Sequence, residues 1–262
     1  MENINYRKLR ERLKGTRVDR PNRQGRGTLS GHAAGEPFEK MVYQLLKEDY
    51  PANIYKQYEY LNDLYLRNPK VISLQDRYDL IQSPTALYLL SRGDKATKAW
   101  TPDNVFEEKQ NDTADILYHK DNRFELLDVK THNRQKKSQP PNIISSYKLA
   151  MMCKYMIDNR EYDGIGLKYI GVEWEEAGEY LVCTDVHFAD MFKVCPDLLY
   201  INWAAGLQIQ QHVADFDQTW DGGIEQWTIE YLRTFVDSAR NRCRVMEENY
   251  IKPFLPYIGE ME

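Results

Sequence analysis

Thr113-Ala114-Asp115-Ile116-Leu117-Tyr118-His119-Lys120-Asp121-Asn122-Arg123-Phe124-Glu125-Leu126-Leu127-Asp128-Val129-Lys130-Thr131 is the stretch that decides how this chain folds and what chemistry it can hold. Two runs of alternating character, 113–119 and 124–131, flank a polar segment of good turn formers, Lys120 to Arg123, and predict a β-hairpin. A loop centred between Asp121 and Asn122 pairs His119 with Phe124 and Leu117 with Leu126, which sets Asp115 opposite Asp128. Residues opposed in this way hold their β-carbons about 4.5–5.5 Å apart on one side of the ribbon. Lys130, two residues beyond Asp128, emerges on that same side. The other side receives Ala114, Ile116, Tyr118, Leu127 and Val129, all core material.

Two carboxylates brought face to face repel, so at least one pKa rises unless a cation intervenes. Lys130 supplies part of that compensation. A hard divalent ion supplies more, and Asp115 with Asp128 suits magnesium, which accepts one or two carboxylates plus water and phosphate oxygens. An ion held there would polarise a phosphodiester and acidify a bound water. A salt-bridge cluster on a solvated sheet face has the same short pattern, and the motif alone does not exclude it. As a general base Lys130 would need a pKa well below its usual ~10.4.

Outward from the hairpin, residues 15–36 are rich in Gly and Arg and read as an extended arm or loop; a basic N-terminal arm, 1–27, and one domain, 28–262, are expected. Glu36-Pro37 opens a helix whose apolar face is Phe38, Met41, Val42, Leu45 and Leu46. Ser83-Pro84 caps a second one, carrying Leu87, Leu89 and Leu90 and stopped by Gly93. A basic loop, His132–Pro141, precedes a helix over 143–157, strands over 167–172 and 180–186, and helices near 200–213 and 225–250. Helices interleaved with a central group of strands predict an α/β (α+β) domain on a mixed sheet.

Composition narrows the function. The 262 residues carry a net charge of −5, but the charge is polarised. Residues 1–30 hold nine Lys/Arg against three acids, 129–157 hold six and no acid, and half of the forty acids lie from Asp158 onward. Such a chain can present a basic cleft while its outer surface stays acidic. Cys153, Cys183, Cys195 and Cys243 form no Cys-x-x-Cys pair, and the five histidines show no metalloprotease spacing. No apolar run approaches a membrane span and the N-terminus lacks a secretory signal, so a cytoplasmic location is expected.

Asp115…Asp128-Val129-Lys130 matches the PD-(D/E)XK nuclease pattern, and longer blocks narrow the match. These are residues 28–40 (TLSGHAAGEPFEK), 56–64 (KQYEYLNDL), 107–117 (EEKQNDTADIL), 126–131, 141–145 (PNIIS) and 200–205 (YINWAA). Through them, over about 28–258, the chain resembles the HincII/HindII type II restriction endonucleases. The resemblance implies an EcoRV-like mixed sheet flanked by helices. It implies a homodimer that clasps double-stranded DNA and cuts within GTYRAC to blunt ends with Mg²⁺, Asp115, Asp128 and Lys130 being catalytic. Ala114 stands where the superfamily's Pro would be, at a position that carries no chemistry.

Asn and Gln side chains read adenine edges while Arg and Lys grip phosphate. Residues 134–142 supply both kinds, Gln139 and Asn142 beside Arg134, Lys136 and Lys137. The resemblance places Gln139 and Asn142 at the bases, with Tyr200 and Asn202 on a second reading segment. Asn142 could equally cap the following helix, and Glu36 or Glu39 could join the metal site or remain solvated. A PD-(D/E)XK nuclease of repair or recombination, and a non-catalytic DNA-binding protein, are the rival readings.

Overall fold

The structure, a computed structural model, describes residues 4–21, 31–57, 59–60, 63, 72–90, 113–137 and 139–259, with the backbone alone for 31–34. The Gly93 helix stop and the stretch 107–112 lie outside the described residues.

The hairpin forms because its turn is built for it. Asp121 and Asn122 both adopt left-handed backbone, with φ of 50° and 59°. That is the geometry of a two-residue type I′ turn, which matches strand twist and which Asp and Asn tolerate better than other non-glycine residues. Gly164 (φ 89°) packs beneath it, where a β-carbon would come 2.8 Å from the Asn122 carbonyl. From the turn run β3 (Ile116–Lys120) and β4 (Arg123–Asn133), paired His119↔Phe124, Leu117↔Leu126 and Ile116↔Leu127 as the sequence predicts.

β4 lies in the middle of a mixed sheet. It is antiparallel to β3 and parallel to β6 (Ile165–Ala177), from Phe124↔Ile165 to Asn133↔Trp174. A parallel pair needs a crossover, and the connection carries β5 (Asn142–Ser145) and α5 (Ser146–Asn159). β7 (Tyr180–Asp190) returns antiparallel on β6; β1 (Arg17–Asp19) and β2 (Ile54–Lys56) form the edges. The order is β1-β7-β6-β4-β3-β2.

Helices cover both faces, so β3 and β4 are buried on both sides, as central strands of covered sheets are. One face sets Ile116, Tyr118, Leu127 and Val129 against Leu9 and Leu13 of α1 (Tyr6–Leu13) and Phe38, Val42 and Leu46 of α2 (Gly31–Asp49). The other packs Leu117, Phe124, Leu126 and Tyr169 with Leu89 of α4 (Pro84–Leu90), Leu149 and Met152 of α5, and Trp227 and Tyr231 of α6 (Ile224–Met246). α3 (Leu74–Gln82) precedes α4, and α7 (Leu255–Ile258) follows α6. Each fully buried large side chain contributes about 1.5–3 kcal/mol. This is the expected mixed sheet flanked by helices.

Several local readings are corrected. Residues 4–20 are not an extended arm: α1 and β1 dock on the sheet because Leu9, Leu13 and Val18 fall on one side. Their cations pair with acids of the body, Lys8 with Asp49, Arg10 with Asp185, Arg12 with Glu48 and Arg20 with Glu176. α2 starts at Gly31, not at Glu36-Pro37, and the chain stays helical through Pro37 because Phe38, Val42 and Leu46 anchor it to the sheet. Residues 143–145 are strand before α5, whose cap is Ser145 and not Asn142. Most of the 200–213 segment is no helix. Left-handed Gly206 and Leu207 interrupt it, and β8 (Ile201–Asn202) and β9 (Gln208–Gln210) pair instead. Ala114, just before β3, packs with Leu117 and not with Ile116, because its N–H is drawn to Gln57 Oε1 at 3.0 Å.

Candidate active site

At the open end of the hairpin, Asp115 N–H donates to the carbonyl of Leu127 (3.1 Å), the residue paired with Ile116, an off-register bond just past β3, and the Asp115 carboxylate meets that of Asp128. Asp115 Oδ2 accepts from the Val129 N–H at 2.7 Å, so a backbone donor fixes its orientation. Asp128 is buried, 7% exposed, and Lys130 Nζ reaches its Oδ2 at 2.7 Å. The three side chains converge as the register requires.

Burial pushes the Asp128 pKa well above the usual carboxylate range; Lys130 opposes the shift and Asp115 adds to it. For Lys130 burial favours the neutral amine, but Asp128 and Asp115 outweigh it and raise its pKa. In this arrangement Lys130 is therefore an ammonium that steadies negative charge, not a ready base. Glu39, on α2, joins the same field. Its pKa is raised to about 7 by burial and then by Asp115, with Lys56 and Lys130 pulling the other way. Glu36 faces solvent and pairs with Lys40 at 2.6 Å. Of the two helix acids, it is Glu39 that feels the site.

Three carboxylates share a half-buried space with Lys130. A divalent cation fits this donor set: its hard oxygens carry more negative charge than the amine cancels, and Asp128 is held in a state that a cation would relieve. A recess opens beside Lys130, walled by His132, His187, His212 and Pro141.

Two of the predicted reading residues, Asn142 and Asn202, fall on a second, three-stranded sheet, β5-β9-β8. Asn142 pairs with Gln210, and Asn202 with Gln208. Gln210 Nε2 donates to Asn142 Oδ1 (2.7 Å), and Asn202 Nδ2 donates to Gln210 Oε1 (2.6 Å). Asn142 and Asn202, sixty residues apart in the chain, become the ends of one row of amides. Gln139 and Tyr200 are exposed nearby in the chain, and the Tyr200 carbonyl accepts from the Gln210 N–H at 3.2 Å. Arg134 and Lys136 are exposed too, each beside an acid of β6: Glu173 at 3.4 Å and Glu176 at 2.7 Å. Such surface pairs are worth under about 1 kcal/mol, so phosphate can displace them.

One residue escapes the sequence reading, and a second, Glu39, stays undecided in it between the metal site and solvent. Gln210 lies in Gln208-Ile209-Gln210, whose period of two was a strand signal hidden inside an apparent helix. Glu39 sits among ordinary helix-surface acids, and only packing sets it apart.

A family model for the restriction endonuclease HincII matches residues 9–258. The chain belongs to the HincII restriction endonuclease family. Among its relatives are the type II restriction enzyme HindII of Haemophilus influenzae strain Rd, 54% identical, and the type II restriction enzyme HincII of Haemophilus influenzae, 53% identical. Each alignment spans 253 residues, 97% of either chain. HincII-family membership makes the chain a site-specific deoxyribonuclease, and the match begins within α1, in keeping with the docking of that helix on the sheet.

Proposed function

We propose that this chain is a Mg²⁺-dependent, homodimeric type II restriction endonuclease that cuts double-stranded DNA within a GTYRAC-type palindrome and leaves blunt ends. The observation that carries the reading is the meeting of buried Asp128 with half-buried Asp115 and Lys130 at the open end of the hairpin. Its relatives, type II restriction enzymes by name, support it.

In the proposed reaction a water oxygen forms a bond to phosphorus as one P–O ester bond of the backbone breaks. Negative charge builds on the phosphoryl oxygens, and the leaving sugar oxygen takes up a proton that balances the one lost by the water. Asp115 and Asp128, with Glu39 near them, would hold the Mg²⁺, which when bound supplies a Lewis acid and an acidified water. The Val129 N–H keeps Asp115 aimed. Lys130 donates toward the phosphate, its charge fixed by Asp128. Asn142, Gln210 and Asn202 present amide edges to bases, with Gln139 and Tyr200 beside them; Arg134 and Lys136 hold phosphates.

A palindromic site calls for twofold symmetry, one subunit per half-site. Exposed apolar side chains crowd the C-terminal segment, among them Tyr250, Phe254, Leu255, Tyr257 and Ile258. Surface of that kind favours a partner, and a second copy of the chain is the partner the symmetry requires. Among the described residues no helix is long and apolar enough to cross a membrane, which fits the proposed cytoplasmic site of action.

Digestion of a plasmid of known sequence with Mg²⁺ tests the reading. Discrete blunt fragments ending within GTYRAC are expected. A smear would favour a repair-type nuclease, and binding without cutting a non-catalytic one. Asp128→Ala should abolish cutting yet still bind the site with Ca²⁺; normal cutting by that variant would refute the assignment.

A further inference from the structure

The turn end of the same hairpin carries a second cluster, roughly 13 Å along β4 from Asp128 at the usual rise per residue. His119 of β3 stands between Asp76 and Asp79, one turn apart on α3, and these three offer ligand atoms all within 4.8 Å of one another. Its ring is fully buried, lies flat on Phe124 with centroids 4.2 Å apart, and cannot turn away. His119 Nε2 is buried and has no hydrogen-bond partner. It faces Asp79 Oδ2 at 3.8 Å, too far for a hydrogen bond.

The state of that nitrogen follows from its neighbour. The Tyr60 hydroxyl lies 2.8 Å from His119 Nδ1 and donates its one hydrogen toward the Asp76 carbonyl at 3.4 Å. In the tautomer with its proton on Nδ1 the hydroxyl oxygen accepts from that N–H, and Nε2 then carries a bare lone pair aimed at a carboxylate. Two lone pairs facing each other in a buried site repel, and an orphaned buried acceptor destabilises by about 1–3 kcal/mol. A proton shared between them would draw the pair to under about 3 Å. A gap of 3.8 Å is instead the span of two ligands on one ion with bonds of about 2.0–2.2 Å.

Asp79 is otherwise saturated. Gln75 Nε2 donates to its Oδ1 at 2.6 Å, and the Asn122 amide, turned nitrogen-first, lies 2.8 and 2.9 Å from its two oxygens. Asp76 Oδ2 accepts from the Ser73 N–H at 3.1 Å in the helix cap, and its Oδ1 lies 3.6 Å from His119 Nδ1, within 4.8 Å of the other ligand atoms. A histidine whose far nitrogen is fixed by a hydrogen bond, facing carboxylates that are themselves hydrogen-bonded, has the outer-shell wiring of a metal ligand.

We propose that Asp76, Asp79 and His119 bind a divalent cation of the borderline class, such as Zn²⁺, Co²⁺ or Mn²⁺, separate from the ion of the active site. One imidazole and two carboxylates suit these ions better than Mg²⁺ or Ca²⁺, which prefer oxygen alone. The ion would clamp α3 to the turn that sets the register of Asp115 on Asp128. Affinity for it falls as acid protonates the three ligands.

Co²⁺ titration of the EDTA-treated full chain tests this. The Asp128→Ala background weakens binding at the catalytic acids, so the second site can be read alone. One Co²⁺ per chain is expected, with a visible ligand-field band and a paramagnetically shifted His119 ring proton. Adding His119→Gln should abolish the band, and adding Asp76→Asn, at a partly exposed position, should weaken binding at least tenfold, both with an unchanged circular dichroism spectrum. If His119→Gln fails to fold, the shifted proton and the Asp76→Asn variant still decide. A background protein that shows no band at millimolar Co²⁺, or a band indifferent to both substitutions, overturns the site.

Discussion

Glu39→Gln should make the metal-free protein more stable, by a margin that grows as pH rises from 4.5 and is complete above about 7. Glu39 titrates near 7 in the fold because burial and Asp115 disfavour its anion, against an ordinary value of 4.5. Between these values the folded chain binds more protons than the unfolded chain, so its stability falls as pH rises. Below 4.5 both states are protonated and Glu39 contributes nothing. Above 7 its penalty is complete. At about 1.4 kcal/mol per pH unit that penalty has an upper bound of about 3 kcal/mol, and solvent at the rim of the site cuts it to about half. Urea unfolding of wild type and Glu39→Gln in EDTA, from pH 4 to 8.5, should give curves that coincide at the acid end and separate by about 1–3 kcal/mol at the alkaline end. Saturating Mg²⁺ should close the gap, since a bound cation stabilises the Glu39 anion. A difference that is constant with pH, or a less stable variant at pH 8, would refute the placing of Glu39 in the field of Asp115.

Lys130→Gln leaves the buried Asp128 carboxylate without its amine; a loss of about 3–5 kcal/mol at pH 8 is expected, smaller at a more acid pH because burial favours the protonated form of Asp128, with cleavage down at least ~10³-fold. Thermal unfolding at the two pH values and single-turnover cutting check both halves. Gln210→Ala breaks the amide row, so affinity for the cognate duplex should drop about tenfold, near 1.4 kcal/mol, while a scrambled duplex binds as before in gel-shift assays. Gly171→Ala would place a β-carbon 2.7 Å from Val213 Cβ, beside the recess at Lys130. It should lower stability by about 1–3 kcal/mol, and Val213→Ala in the same chain should restore much of the denaturation midpoint.

The hairpin was legible from sequence because everything that defines it is local. A type I′ turn admits few residues, and once Asp121-Asn122 is the turn, a side-chain period of two leaves Asp115 no partner but Asp128. The apolar spacing of Phe38, Val42 and Leu46 likewise fixed a helix, though not its first turn, since Pro37 marked a start that the observed helix precedes. The 200–213 segment misled because Ile201 and Ile209 are apolar at a spacing a helix also offers, and their pairing is between residues whose link, Gly206-Leu207, needs left-handed backbone.

Composition and short-range periodicity by themselves determined a mixed sheet between helices, and the register of one hairpin determined which two acids and which amine meet. Charge balance at that meeting point was a different matter. Whether Asp128 is sealed from water, whether Glu39 belongs to the site, whether Lys130 is held as an ammonium, and whether Asn142 and Asn202 touch the same glutamine all depend on groups brought together from distant parts of the chain. A pKa is set by the dielectric and the charges around it, and those surroundings exist only once α2, β4 and the small sheet have packed. The same holds for the basic N-terminal segment, whose cations looked available until the fold set Asp49, Glu48, Asp185 and Glu176 against them.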